Sequence, residues 1–355
     1  MKSICFICGS LEPGKDGVGD YTRRLACELI NINHNIKIIS VNDKFINKTT
    51  EESQQSSGIS VSVLRIPEFL DWSEKINIVN NFLLKNKFDY ISIQYVPYSF
   101  NRKGIAYGFN FFIKKLNFSG NYHIMFHELC LGVATNINLK SRFIAFLQFY
   151  LIKQLIKLTK KNKITTSNIL YQNFLQERNI NSKILTLFSN IPLVKKNYTK
   201  RTSENYVLGI FGTLYEFSRI ADMLEEILLK NLNKKITLIG FGRLSNMLLW
   251  EQLSIKFNDR ITFIYKGELS TEDISLQMAE IDLALSCTPL EYLGKSGAYA
   301  AWKLHKIDVM ALPSCDFKDN LDKYYLEYQR MENLDSDMWN VSYVSRSFIK
   351  ILEER

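Results

Sequence analysis

Val207-Leu208-Gly209-Ile210-Phe211-Gly212-Thr213-Leu214 is a short apolar run that ends in a glycine turn, and Ile220–Leu229 follows it with amphipathic helical spacing. A run of that length bounded by glycine reads as a buried strand, and a strand that passes into a helix is half of a parallel β–α–β unit. The pattern then repeats. Strands are expected at Ile236–Gly240, Ile261–Tyr265, Leu283–Ser286 and Asp308–Leu312, with helices at Ser245–Phe257, Thr271–Met278, Gly297–Leu304 and Leu321–Tyr328. The run decides the fold because it restarts a series that has already been completed once.

Upstream, strands are expected at Ser3–Cys8, Ile36–Val41, Ser60–Ile66, Tyr90–Gln94, His123–His127, Lys163–Thr166 and Lys183–Leu187. Helices fall between them at Gly19–Ile30, Ser73–Lys85, Gly104–Leu116, Leu139–Thr159 and Ile169–Glu177, and polar residues 47–58 read as a loop. Pro192–Tyr206, with Lys195-Lys196, Lys200-Arg201 and no apolar periodicity, is the natural linker. At 355 residues the chain exceeds the size of one hydrophobic core. The expected fold class is therefore α/β, with two doubly wound domains, 1–195 and 206–335, facing across a cleft. Residues 336–355, with a helix near Val341–Leu352, should pack back on the first domain. Ligands of such sheets bind beyond the strand C-termini.

Several classes are excluded. Ser3-Ile4-Cys5-Phe6-Ile7-Cys8 is too short for a secretory apolar segment, and Phe143–Ile152, interrupted by Gln148 and bracketed by Arg142 and Lys153, is too short to span a bilayer. The six cysteines lie mostly in apolar runs and read as reduced core thiols of a cytoplasmic protein. Cys5-x-x-Cys8 lacks the second pair that a zinc site wants, and four histidines with no close pair do not supply one. No metal and no cofactor are expected. A net charge of +9 without a nucleic-acid module points to anionic small molecules or lipid.

Candidate site residues sit where strands end. After the first strand comes Pro13-Gly14-Lys15-Asp16-Gly17-Val18-Gly19-Asp20-Tyr21, a loop leading into a helix start. Gly17, Gly19, Asp20 and Tyr21 could hold a ligand there, or the loop is a plain strand-to-helix turn. Gln94-Tyr95-Val96-Pro97-Tyr98 ends another strand; Tyr95 and Tyr98 face the cleft or pack on their own domain. His127 and Glu128 offer an imidazole and a carboxylate to a sugar hydroxyl. In the second half Gly212-Thr213, Gly242-Arg243 and Lys266-Gly267 end successive strands. Ser286–Gly297 then places Glu291 ahead of a helix start made of Gly294, Lys295, Ser296 and Gly297. A diphosphate can lie on that start, Lys295 can neutralise it, and Glu291 can accept from sugar hydroxyls.

The ordered set Gly17-Val18-Gly19-Asp20-Tyr21-Thr22-Arg23-Arg24-Leu25, Gln94-Tyr95-x-Pro97-Tyr98, His127-Glu128, Ser189-Asn190-Ile191-Pro192, Phe211-Gly212 and Glu291-x-x-Gly294-Lys295-Ser296-Gly297 resembles the retaining GT-B glycosyltransferases of family 4. The resemblance implies a UDP-, GDP- or similar nucleotide sugar on the C-terminal domain and a glycan or lipid-linked glycan acceptor on the N-terminal one. It further implies metal-independent transfer with retention of anomeric configuration, of the kind used in bacterial surface polysaccharide synthesis. Glu291 matches the first carboxylate of the family's pair, which contacts the donor sugar; the second, assigned to the ribose, is replaced by Tyr299. The family's Arg and Lys for the diphosphate correspond to Thr213 and Ser218, so Arg219, Lys266 or Lys295 must substitute. Those departures keep open an inert nucleotide-sugar-binding subunit, and the scaffold keeps open a sugar-nucleotide epimerase.

Residues 139–163 carry seven basic groups and no acid. The segment reads as a core helix with a solvated basic end. Alternatively, Lys153, Lys157, Lys160, Lys161 and Lys163 rest on an anionic membrane at the inner face of the plasma membrane.

Overall fold

The structure is a computed structural model. It describes residues 1–133, 136–159, 162–194, 205–231, 233–244, 246–314, 325, 328–329, 331 and 333–354. Lys160, Lys161, Ser245, Cys315, most of the expected linker and most of the helix expected at Leu321–Tyr328 lie outside the described residues. The chain divides into two compact units, Met1–Leu185 with Val341–Arg355, and Thr186–Asn340.

The first unit runs β1 (Ser3–Cys8), α1 (Gly17–Asn31), β2 (Asn35–Asp43), β3 (Thr50–Ser56), β4 (Ile59–Pro67), α2 (Trp72–Lys85) and β5 (Tyr90–Tyr95). It continues with α3 (Pro97–Phe100), α4 (Tyr107–Lys115), β6 (Asn121–Phe126), α5 (Leu139–Leu158), β7 (Asn162–Thr166), α6 (Ile169–Gln176) and β8 (Lys183–Ile184). The described strands form one sheet in the order β3-β4-β2-β1-β5-β6-β7-β8, parallel except for β3. Ile4, Cys5, Phe6 and Ile7 of β1 are fully buried, because helices cover both faces of a parallel sheet. Local chemistry places the helix starts. Asp16 caps α1 by accepting from Gly19 N (2.8 Å), and Asp71 with Glu74 forms a reciprocal capping box on α2.

Residues 47–58 correct the sequence reading. Thr50-Glu51-Glu52-Ser53-Gln54-Gln55-Ser56 is an edge strand, paired antiparallel with β4 through a turn at Ser57 and Gly58, both at positive φ. An edge strand with one solvated side needs no apolar run, so hydrophobic patterning does not see it.

The C-terminal helix, Val341–Glu353, belongs to this unit. Phe348 stacks on Phe6 at 5.7 Å between centroids, and Tyr90 Oη donates to the carbonyl of Leu352 at 2.7 Å. Lys163, expected in a solvated basic end, lies in β7 with Nζ donating to the Glu354 carbonyl at 2.5 Å.

The second unit comprises β9 (Asn205–Phe211), α7 (Phe217–Lys230), β10 (Lys235–Phe241), α8 (Met247–Phe257), β11 (Ile261–Tyr265), α9 (Thr271–Met278), β12 (Leu283–Leu285), α10 (Gly297–Leu304) and β13 (Asp308–Met310). These strands make a parallel sheet in the order β11-β10-β9-β12-β13. Trp302 and Tyr299 centre the core on one side and Trp250 the core on the other. The unit begins at Thr186, ahead of the expected linker. Ser189 N donates to Trp339 O and Val194 N to Ser275 Oγ, both at 2.9 Å, so polar bonds hold a segment that carries no apolar period.

Candidate functional site

In the second unit, residues beyond the ends of β9 and β12 wall a cavity of about 410 Å³. Gly212 leaves β9 at φ +92° with open space where a Cβ would stand, so only glycine enters that turn without strain. Thr213 and Tyr215 continue the wall; Ser286, Thr288, Tyr292 and Lys295 form the opposite side. The floor is the start of α10. Ser296 Oγ caps it by accepting from Tyr299 N (3.2 Å) and receives the Thr288 hydroxyl at 3.1 Å. Gly297 is exposed with nothing within 4 Å of its Cβ position, which leaves the first amides of the helix approachable. A helix start, with its partial positive charge, and the half-buried Lys295 thus share one cavity.

Of the other expected residues of this half, Glu291, Arg219, Gly242, Arg243, Lys266, Gly267 and Gly294 do not line the cavity, whereas Tyr299 does. Glu291 is buried in the 3₁₀ turn Leu290–Lys295, where its carboxylate accepts the Ser314 hydroxyl at 2.5 Å and the Ser314 amide at 3.3 Å. It stands next to the wall residue Tyr292 without lining the cavity. Arg219 is 3% exposed and points inward; Nη2 donates to the Cys287 carbonyl at 2.8 Å, and Nη1 lies 3.3 Å from Glu216. It braces the loop that carries the wall instead of facing a ligand. Burial pushes the Cys287 thiol up to about 12 against the opposing pull of Arg219, so this cysteine is no nucleophile at neutral pH. Arg243 pairs with Glu268 at 3.4 Å on the surface, and Lys266 is exposed. Gly242 and Gly267 bond to each other through N–H and C=O at 2.8 Å, and a Cβ on Gly242 would meet the Phe211 ring. Gly294 is buried in the 3₁₀ turn. Tyr299, at the position where the resemblance implies a carboxylate, is fully buried with its ring edge-on to Trp339 at 5.3 Å.

The first unit carries a different kind of edge. His127 follows β6, 8% exposed, with Nε2 at 2.9 Å from Gln94 Oε1 and its ring edge-on to Tyr21. The amide nitrogen of Gln94 donates to Ser92 Oγ (2.9 Å), so its oxygen faces His127 and the imidazole must donate through Nε2. Ser92 Oγ in turn meets His123 Nδ1 at 2.8 Å, and His123 Nε2 meets Thr165 Oγ1 at 2.9 Å. The Thr165 hydroxyl donates to Met125 Sδ. All five bonds are satisfied by one direction of donation, from His127 inward. That direction leaves Nδ1 of His127 as the acceptor. Burial lowers both imidazoles to about 3, so they are neutral at ordinary pH.

A second cavity, of about 490 Å³, lies where β1, β2, β4 and β5 end, with Asn42, Lys44, Glu68, Tyr98 and Arg102 in its wall. Arg102 and Glu68 form a two-bond pair at 3.0 and 2.9 Å. Lys75, 1% exposed, donates to Asn42 Oδ1 (2.9 Å) and the Glu68 carbonyl (3.1 Å) over the face of Trp72. Burial pulls its ammonium down to about 8, against Glu68 and Asp71. Tyr98 reaches this cavity. Tyr95 does not: it is 1% exposed in a ring cluster with Phe100, Phe109 and Phe126, which corrects its reading as a cleft residue. Gly17 is open at the start of α1, whereas Gly19 is packed so closely that a Cβ would sit 2.4 Å from the Ser10 carbonyl. Asp20 closes the loop by accepting from Gly14 N (3.1 Å) and pairing with Arg23. Glu128 is half-buried, its amide donating to the Tyr95 carbonyl.

Sequence reasoning passed over Tyr215, Thr288 and Tyr292 in the first cavity and Asn42, Lys44, Glu68 and Arg102 in the second. Thr288 and Tyr292 lie in the loop already singled out by Glu291 and Lys295. The others carry no local signal, because only the sheet brings them together.

No family model matches the chain, and no curated protein does. Solved structures do. Anabaena Alr3699/HepE in complex with UDP and glucose shares 13% identity over 99% of both chains, with a TM-score of 0.58. An α-glucosyltransferase in complex with UDP-glucose and DNA containing an abasic site shares 13% over 99% of both, at 0.53. TarM shares 10% over 100% of this chain and 96% of its own, at 0.52. These likenesses show the fold, the two Rossmann-like domains of GT-B glycosyltransferases.

Proposed function

We propose that the chain is a retaining, metal-independent glycosyltransferase of the family 4 type. Its donor is a nucleotide sugar held in the cavity of the second unit, and its acceptor a glycan or lipid-linked glycan of a bacterial surface polysaccharide. The observation that carries this reading is the convergence of Gly212, Lys295 and the capped start of α10 on one cavity of about 410 Å³. The helix amides and Lys295 take the diphosphate. Tyr215 offers a ring face to the base, and the sugar extends past Tyr292 to Glu291, which accepts from its hydroxyls with the lone pairs that Ser314 leaves.

In the transfer, the bond from the anomeric carbon to the diphosphate oxygen breaks and a bond to the acceptor oxygen forms on the same face. The acceptor proton passes to the departing diphosphate. Such a reaction asks for positioning and for charge stabilisation on the leaving group, which a fixed helix start supplies without reorganising. His127, neutral and donating inward, presents an acceptor atom that holds a sugar hydroxyl and does not compete for the proton.

The binding half is tested by thermal unfolding with nucleoside diphosphates. At a hundred times its dissociation constant the right one stabilises by about 2.7 kcal/mol; no response to any of them would overturn the reading. A second reading is favoured by Thr213 in the cavity wall and Arg219 turned inward: a nucleotide-sugar-binding subunit without turnover. Incubation with the matching nucleotide sugar and no acceptor separates the two, since only the transferase slowly releases diphosphate.

A further inference from the structure

Helix α5 reaches the body of its unit only in its second half. Its buried residues are Gln148, Leu151, Ile152 and Leu155. On another side of the helix, Leu139, Phe143, Phe146 and Tyr150 are 81, 64, 67 and 52% exposed. Spacings of four, three and four put these side chains on one stripe of the helix. Beside it, α4 exposes Tyr107 and Phe111, and between the two helices lies a cavity of about 330 Å³ with Lys114, Lys157, Asn110 and Gln154 in its wall. Rings left in water over several turns mark an interaction surface.

The charge on this face names the partner. Leu139–Leu158 contains Lys140, Arg142, Lys153 and Lys157, Tyr107–Lys115 contains Lys114 and Lys115, and neither contains an acid. A second copy of the chain would bring the same positive face and be repelled. We propose that the α4–α5 face docks on an anionic lipid surface. The rings of α5 enter the headgroup boundary, and Lys114 and Lys157 take a lipid phosphate in the cavity between the helices. Lys163, bonded into β7, has no part in it. An apolar stripe with a basic flank gives binding that is reversible and weakened by salt. Docking stands apart from the transfer reaction and would bring the first unit to acceptors carried on lipid.

The full chain is sedimented with phosphatidylglycerol/phosphatidylcholine vesicles and with phosphatidylcholine alone, at low and high salt. About tenfold more protein should bind the anionic vesicles at low salt, and high salt should release it. Phe143→Ser with Phe146→Ser, and separately Lys114→Glu with Lys157→Glu, should each lower binding by about tenfold or more. All four positions are exposed, so the melting temperature and nucleoside diphosphate binding should not change, which separates loss of docking from loss of the donor site. Wild type left in the supernatant at low salt, equal binding to neutral vesicles, or a ring variant that binds like wild type would overturn the proposal. So would a lipid-free dimer that the ring variant abolishes, because the face would then belong to a second copy.

Discussion

The carboxyl edge of the first sheet is filled with side chains already bonded to one another: His127 to Gln94, Gln94 to Ser92, Ser92 to His123, His123 to Thr165. The edge of the second is walled by a glycine turn at Gly212, a helix start at Gly297 and short loops, with Lys295 as its basic group. One parallel architecture thus makes two kinds of site. Where side chains build the edge, buried residues of the neighbouring strands decide how His127 at its end behaves. Where backbone builds it, a ligand would meet amides that no side-chain replacement removes, and the sensitive change is an added Cβ.

The largest expected effect lies where the second unit departs from its own pattern and relies on a side chain. Glu291→Gln should keep the fold and nucleoside diphosphate binding, because α10 and Lys295 are untouched. Turnover should fall by about 10- to 1000-fold, the consequence of losing a charged acceptor worth about 1.5 to 4 kcal/mol. Unchanged kcat would reduce Glu291 to the residue that holds Ser314.

In the first unit the sharper probe is a residue that no ligand need touch. Gln94→Leu removes the acceptor that fixes His127 as the Nε2–H tautomer and leaves that donor unpaired, at a cost of about 1 to 3 kcal/mol. We expect kcat to fall about 10- to 100-fold and the imidazole nitrogen resonances of His127 to change tautomer. A lower kcat with the tautomer retained would mean that Gln94 acts by packing alone. The same wiring sets an acid limit. Both histidines titrate near 3 when folded and near 6.5 when unfolded, so below 6.5 the unfolded chain binds more protons. Stability should be complete above 6.5 and fall by about 1.4 kcal/mol per pH unit per histidine on acidification. Urea midpoints flat from neutrality to pH 4 would show that neither imidazole is buried neutral.

Gly212→Ala tests the backbone-built edge with a single methyl. The space is open, so the cost is conformational, about 1 to 2 kcal/mol at positive φ, and nucleoside diphosphate binding should weaken about five- to thirtyfold. Gly17→Ala in the first unit, equally open but at an ordinary helix start, is the matched control and should change little. Equal effects of the two would remove the distinction between the edges.

How much of this was legible in the sequence follows from the same contrast. The parallel strands were legible because a strand buried on both faces is an unbroken apolar run, as Ile4–Cys8 is. Edge strand β3 was not, since Thr50–Ser56 is polar throughout. The cavity of the second unit was partly legible, because glycine turns and a Ser-Gly helix start are local signals. The relay of the first unit was not, because it depends on the register that sets Ser92 beside His123 and His123 within reach of β7. Tyr95 and Arg219 were misplaced for a related reason: a phenol or a guanidinium turns to core or to ligand according to neighbours that come from other strands. The exposed rings of α5 belong here too, since apolar residues in a helix read as core until the partner element is known.

The smallest expected effect is none at all. If helix amides and Lys295 hold the diphosphate, a divalent cation is not required there, and among the described residues Glu291 and Glu216 are already engaged, with Ser314 and Arg219. Transfer should therefore run at the same rate in excess chelator as in magnesium, with the same apparent affinity for the nucleotide sugar. Lys295→Met should make the outcome informative, by weakening nucleotide binding about tenfold in both conditions alike. Activity lost in chelator and restored by magnesium or manganese would mean that a metal does the work assigned here to backbone. The second unit would then rely, like the first, on side-chain groups.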